Sequence, residues 1–251
     1  MLRMCFQAAR RGALIALAGA AAGCESSAPA STAPMDRVAR SAQDWAGTMG
    51  APVAAVPASP GQPLSPDQGT WVLHVGDSFV HATLQQTLRP RFEETRTGYV
   101  VSDTTATYTT TWAYGRELDK WLARRPALVL VTLGANEVDM PVPTEHATAV
   151  EVIARKIAEA HAACVWITPP MWKKDTGILQ VIHDHSAPCL FFDSDAVLGG
   201  LGDDERQHDR IHPNEKGGAR WANALWGWLL DHRDPASSGW ALQPYETSPG
   251  R

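Results

Sequence analysis

The chain has 251 residues, 44% of them apolar, with ten tryptophans, four cysteines and a formal net charge of −5. That length and apolar share suit one domain with a proper core. The acidic balance, with no basic stripe or RNA-binding aromatic motif, argues against nucleic acid as a partner.

Residues 1–23 read as a leader rather than as fold. Arg3, Arg10 and Arg11 make a basic start, "ALIALAGAAA" is a short apolar run, and small residues lead up to Gly23-Cys24. This is a secretory signal layout, too short for a transmembrane span. "AAAGC" resembles a bacterial lipobox with Cys24 as the lipidated first residue, although Ala21 stands where a leucine-like residue is usual. The alternative is plain secretion with a nearby cut. Losing three arginines and no acids with the leader moves the formal charge from −5 to −8. The expectation is a lipid-anchored protein outside the cytoplasm, in the periplasm or on the cell surface. Residues 24–69 are rich in Ala, Ser and Pro, the composition of a disordered tether. Inside it, Met35, Val38 and Trp45 form a helical pattern that would suit a short docking segment.

Residues 70–234 form the expected domain. "WVLHV" (71–75) predicts a strand, followed by a helix toward Glu94 that Pro90 kinks or ends. "GYVVS" (98–102) predicts the second strand, and 112–125 has apolar residues at helical spacing. "ALVLVTL" (127–133), almost wholly aliphatic, reads as a buried central strand. A helix over 144–162 follows, with Thr144 as its N-cap. "CVWIT" (164–168) and "CLFFD" (189–193) are the fourth and fifth strands, with a helix between them, and the last helix spans 214–232. Alternation of this kind predicts a parallel sheet between two helix layers. The tail, 235–251, is Pro/Gly/Ser-rich and expected to be loose, with Trp240 as the residue able to pin part of it.

Ligands of such sheets bind beyond the carboxyl ends of the strands. Three polar motifs fall there: Gly76-Asp77-Ser78 after strand one, Gly134-Ala135-Asn136-Glu137 after strand three, and Asp209-Arg210-Ile211-His212 before the last helix. A serine hydroxyl becomes a nucleophile when a base takes its proton, and a neutral imidazole is the usual base. His212 is the candidate base for Ser78. Asp209, three residues earlier, is placed to hold the second ring nitrogen and the tautomer. Attack on an ester creates an oxyanion, for which the Ser78 backbone N–H and the Asn136 amide are candidate donors. The plain alternatives are an N-cap serine, a turn asparagine, a solvated histidine and an aspartate capping the final helix. Asp77 reads as a brace for the turn.

"GDSFV", "GANE" and "DRIHP" resemble blocks I, III and V of the SGNH/GDSL hydrolase superfamily. The resemblance covers Trp71 to about Leu230 in order and spacing. It implies a flavodoxin-like three-layer α/β/α sandwich with a five-stranded parallel sheet, nucleophile Ser78, base His212, supporting Asp209 and oxyanion donor Asn136. Two positions depart from the family pattern. Glu137 stands where block III usually carries Asp, and the block II glycine after strand two is missing from "VVSDTTATYTTT". Either a backbone N–H from Ser102 to Thr105 replaces it, or two donors have to suffice.

The cysteines left after processing, Cys164 and Cys189, precede neighbouring strands, so a disulfide and two buried thiols both fit. Their spacing gives no structural zinc site, and no cofactor or metal is expected. "HDH" (183–185) reads as surface, since residues two apart on a helix do not share a face. His74 reads as a hydrogen-bonded core histidine, and His81 as a pocket residue one turn past Ser78. Trp112 and Trp172 follow strands two and four, where flat rings would suit stacking on a sugar. The function expected is a serine esterase removing O-acetyl or another short acyl group from an envelope or extracellular carbohydrate. A lipase or thioesterase for longer chains, and a non-catalytic glycan-binding protein, are the alternatives. A nucleotide-binding domain fits less well, because no Gly-rich phosphate loop follows strand one.

Overall fold

Aliphatic runs and short links build the sheet that places the site. The computed structural model describes residues 70–102, 108–237 and 239–243. The strands are β1 (Trp71–Gly76), β2 (Gly98–Val101), β3 (Leu128–Thr132), β4 (Ala163–Ile167) and β5 (Leu190–Phe192), all parallel, in the order β2-β1-β3-β4-β5. Every residue of β3 is buried, as a strand covered on both faces requires. This is the flavodoxin-like α/β/α sandwich. The leader at 1–23, Cys24, the tether at 24–69 and its docking segment lie outside the described residues. Among the described residues no helix is long and apolar enough to cross a membrane.

Side-chain alternation along the strands separates two cores. Leu73, Val75, Val129, Val131 and Trp166 face one way, onto α2 (Thr109–Tyr114), α3 (Glu117–Leu122), α4 (Ala147–Glu159) and α5 (Ile178–His185). Val72, Leu128, Leu130, Val165 and Ile167 face the other, onto α1 (Gln85–Glu94), α6 (Ser194–Leu198) and α7 (Glu215–His232). Each layer buries the apolar stripe of its helices, the main stabilising term of such a fold. On the first face Trp112 is 1% exposed. It is a core residue and lines no rim, because α2 turns that face of the helix onto the sheet.

Several boundaries differ from those expected. Pro90 lies within α1 and does not end it. The helix is held past it by Phe92, whose ring meets Tyr99, Trp226 and Trp240 with centroids 4.8 to 5.1 Å away. The helix expected at 112–125 is two, divided at Gly115, where a side chain would stand 2.6 Å from the Thr111 carbonyl. Thr144 is no N-cap: it sits in a 3-10 turn (Pro143–His146) that Pro143 begins, ahead of α4. Helix α6 is too short to show a periodicity, and Asp193 caps it by accepting the Ala196 N–H. Asn214, not Asp209, caps α7, accepting from Gly217 at 3.0 Å.

Cys164 and Cys189 are joined as a disulfide across the amino ends of β4 and β5, with Cα atoms 4.5 Å apart. Of the tail expected to be loose, the described part, which ends at Gln243, is packed, and Trp240 is the residue that pins it, as its sequence allowed. Trp240 is 1% exposed, its indole N–H donates to Thr97 Oγ1 at 2.9 Å, and Arg233 bridges to Leu242. A ring that completes the Phe92–Trp226 cluster outweighs the loose composition around it.

Candidate active site

The nucleophile candidate is set by the abrupt end of β1. A side chain at Gly76 would stand 2.1 Å from the Thr132 carbonyl oxygen, so only glycine lets β1 end this close to β3. The Asp77 N–H donates to that same carbonyl at 3.1 Å. Asp77 is fully buried and its Oδ1 accepts the Phe79 N–H at 3.0 Å, while its carbonyl accepts that of Val80. Asp77 is therefore a brace beneath the turn. Burial pushes its carboxyl up to about 7, against the pull of the Phe79 and Ala135 amides. With Asp77 and Phe79 turned inward, Ser78 is left exposed between them.

Ser78 Oγ lies 2.8 Å from His212 Nε2, and His212 Nδ1 lies 2.6 Å from Asp209 Oδ2. The Asp209 Oδ1 accepts the Ile211 and His212 N–H groups at 2.8 and 3.0 Å. This tight turn passes through Arg210 at φ 59°, left-handed backbone that is strained for a side-chain-bearing residue. The His212 hydrogen bond, with help from the Ile211 amide, lowers the Asp209 carboxyl to about 2, so it is ionised across the neutral range. Serine, imidazole and carboxylate thus form one hydrogen-bonded chain, drawn from residues 134 apart in sequence.

Arg206 had no signal in the sequence and holds this arrangement from below. It is 8% exposed, and its guanidinium donates to the carbonyls of Ile211 at 2.6 Å and Met171 at 2.8 Å. The loop bearing His212 is thereby tied to the loop after β4. Trp172, on that loop, stacks on Phe79 at 5.6 Å and 21°, and Phe79 lies 5.0 Å from the His212 ring. Trp172 therefore stands beside the site, half-buried, with the Lys173 ammonium 5.5 Å from its ring. His81 lies half-buried on a π-helical turn (Val80–Leu84), outside the hydrogen-bonded chain. His74 is a core residue, bonded to the Tyr99 hydroxyl at 2.6 Å and Thr132 Oγ1 at 2.8 Å.

Asn136 is exposed on the turn that follows β3, opened by Gly134 at φ 122°. Because Gly76 pairs with Thr132, Ser78 and Asn136 rise from the ends of adjacent strands. Its neighbour Glu137 is 0% exposed and accepts the Thr109 N–H at 2.6 Å on Oε1. Burial raises the Glu137 carboxyl, and its charge in turn disfavours that of Asp77. Of the segment expected to replace the block II glycine, Ser102 has its N–H taken by the His74 carbonyl at 3.1 Å, a continuation of the β1–β2 ladder. Residues 103–105 lie outside the described residues. In the "HDH" stretch His183 pairs with Asp184 and His185 with Glu151 at the surface. No group of three or more His, Cys, Asp or Glu among the described residues could hold a metal ion.

No family model matches the chain, and no curated protein matches it in sequence. Solved structures do resemble it. The psychrotrophic esterase EstA from Pseudoalteromonas sp., inhibited by monoethylphosphonate, is 18% identical, with a TM-score of 0.50 over 65% of this chain and 98% of that one. TesA is 22% identical, with a TM-score of 0.53 over 64% and 99%. A carbohydrate esterase of family 3 from Talaromyces cellulolyticus is 16% identical, with a TM-score of 0.50 over 65% and 97%. At these identities the likeness is one of fold.

Proposed function

We propose that the protein is a serine ester hydrolase of the SGNH/GDSL type that works through an acyl-enzyme. The observation that carries this reading is the unbroken chain from Ser78 Oγ through His212 to Asp209, with contacts of 2.8 and 2.6 Å. His212 takes the Ser78 proton as Oγ attacks the ester carbonyl, and Asp209 holds the imidazolium that forms. The tetrahedral oxyanion is met by the Ser78 backbone N–H and the Asn136 carboxamide. The Phe79 and Val80 amides beside it are already taken by Asp77. His212 then protonates the leaving alcohol, and water deacylates the serine by the same route. One oxyanion donor contributes about 3 kcal/mol to such a transition state. Two of the similar folds named above are esterases, which supports the reaction class.

The substrate proposed is a short acyl ester, such as O-acetyl, on a cell-envelope or extracellular carbohydrate. The half-buried Trp172 ring, stacked on the Phe79 that adjoins His212, offers its remaining aromatic surface to a sugar ring, and one similar fold is a carbohydrate esterase. The basic, apolar, small-residue leader running up to Cys24 supports a lipid anchor on that cysteine and a place outside the cytoplasm. A fluorophosphonate probe tests the reaction. It should label the wild type and fail to label Ser78→Ala, and absence of labelling on both would sink the enzyme. Release of acetate from acetylated glycan, compared with an acyl-chain series on model esters, tests the substrate. Preference for long chains would move the reading to a lipase or thioesterase.

A further inference from the structure

We propose that Glu137 is a positioning residue, whose buried carboxylate sets where the Asn136 carboxamide points. The inference rests on the esterase reading, because it concerns how that reaction's oxyanion is met. Asn136 and Glu137 are consecutive, yet one is exposed and the other fully buried. The backbone of their turn is held within itself by Glu137 N–H to the Gly134 carbonyl at 3.3 Å and Met140 N–H to the Glu137 carbonyl at 3.0 Å, and its far side by Thr176, which donates to the Val138 and Met140 carbonyls. The Glu137 side chain reaches further. Its Oε1 accepts the Thr109 N–H at 2.6 Å, at the first residue of α2, and lies 3.7 Å from His146 Nδ1. His146 is in turn hydrogen-bonded to Thr109 Oγ1 at 2.8 Å. Three elements therefore meet on one carboxylate: the turn after β3, the start of α2 and the 3-10 turn before α4.

Glu137 stands where the resembling family carries the shorter Asp, and the difference has a geometric consequence here. An aspartate is about 1.5 Å shorter, one C–C bond. It leaves the Thr109 amide out of reach unless the turn is dragged inward, and Asn136 moves with the turn. A misplacement of about 1 Å at a reacting centre costs about 10²-fold in rate. Burial disfavours the charge of Glu137, and the Thr109 amide and His146 both answer it. Removing either end of the tie therefore loosens the same object, the turn that presents Asn136.

The test uses the full chain and p-nitrophenyl acetate, reading kcat and KM separately. Glu137→Asp should lower kcat about 10- to 100-fold with KM within about twofold. Glu137→Gln, whose amide oxygen still accepts the Thr109 N–H, should keep kcat within about fivefold. Thr109→Pro removes the donor from the other end, together with the hydroxyl that meets His146. Proline is tolerated at the first position of a helix, and Tyr108 already has the extended φ −125°, ψ 152° that a following proline requires. It should match Glu137→Asp, and it serves as the reading if that variant fails to fold. In an Asn136→Ala background neither change should lower kcat more than about threefold further, because the group they position is gone. Equal losses with and without Asn136, or an unchanged kcat in both variants, would overturn the positioning role while leaving the esterase intact. A wild type that neither turns over the ester nor takes the fluorophosphonate probe would overturn both.

Discussion

Replacing Asp209 by Asn separates the electrostatic part of the hydrogen-bonded chain from its geometry. Asp209 makes three contacts: Oδ1 with the Ile211 and His212 amides, and Oδ2 with His212 Nδ1 at 2.6 Å. An asparagine keeps Oδ1 for the two amides, so the turn through Arg210 should survive and thermal stability should change little. At the Oδ2 position it places an NH₂, which donates to Nδ1 rather than accepting from it. The imidazole is then held with its proton on Nε2, facing Ser78 Oγ at 2.8 Å, and cannot take the serine proton. The analogous swap in the Ser-His-Asp template lowers kcat by about 10⁴. Here a loss of about 10³ to 10⁴ is expected, about 4 to 5.5 kcal/mol of activation free energy, with KM within about twofold. Initial rates on a chromogenic acetate ester, with circular dichroism on the same samples, measure this. A folded Asp209→Asn that retains a tenth or more of wild-type kcat would refute the role of the carboxylate.

Two further outcomes concern stability. His74 is neutral in the folded state, its pKa depressed to about 3 by burial and by the charge of His81, whereas an unfolded histidine titrates near 6.5. The unfolded chain therefore binds the extra proton first, and stability should fall as pH drops from about 6.5 toward 3, by about 1.4 kcal/mol per pH unit from this group. Urea midpoints of wild type and His74→Gln between pH 5 and 7 measure the slope difference, and parallel curves would count against a neutral buried imidazole. The Cys164–Cys189 bond closes a loop of 25 residues, worth about 3.5 kcal/mol in the chain-entropy model. The double change to serine should lower the melting temperature by several degrees without altering kcat, since the bond lies at the opposite end of the sheet from Ser78. A loss of activity at temperatures where the variant is still folded would contradict that separation.

The candidate site was legible to the extent that it depends on local chemistry. Gly76-Asp77-Ser78 turns sharply because Asp77 accepts the Phe79 N–H on its side chain and the Val80 N–H on its carbonyl, two and three residues on. Asp209 can reach both the amides and the ring of His212 because it lies three residues before it. Arg206 carried no such signal. Its partners are carbonyls of residues 170, 171 and 211, and any residue has a carbonyl, so no side-chain pattern marks them. Trp112 and Trp172 looked alike in sequence, each following a strand. One was drawn into the core by α2 and the other left stacked on Phe79, the ring that adjoins His212, a distinction made by packing. Pro90 shows the same limit: proline's cost to a helix is local, and the aromatic cluster that holds Phe92 is not.

By itself, the chain's order of apolar runs and polar turns determined the parallel α/β layering and the three motifs at one rim. Both are legible because periodicity and turn chemistry act within each segment, and because parallel strands present their carboxyl ends, and the turns after them, at one edge. The meeting of Ser78 with His212, the tie from Glu137 to Thr109 and the anchoring of Trp240 were decided only by the tertiary structure. Each pairs residues between 28 and 143 positions apart. Whether such groups touch depends on how the helices pack across the sheet, a property of the whole core and not of any segment within it.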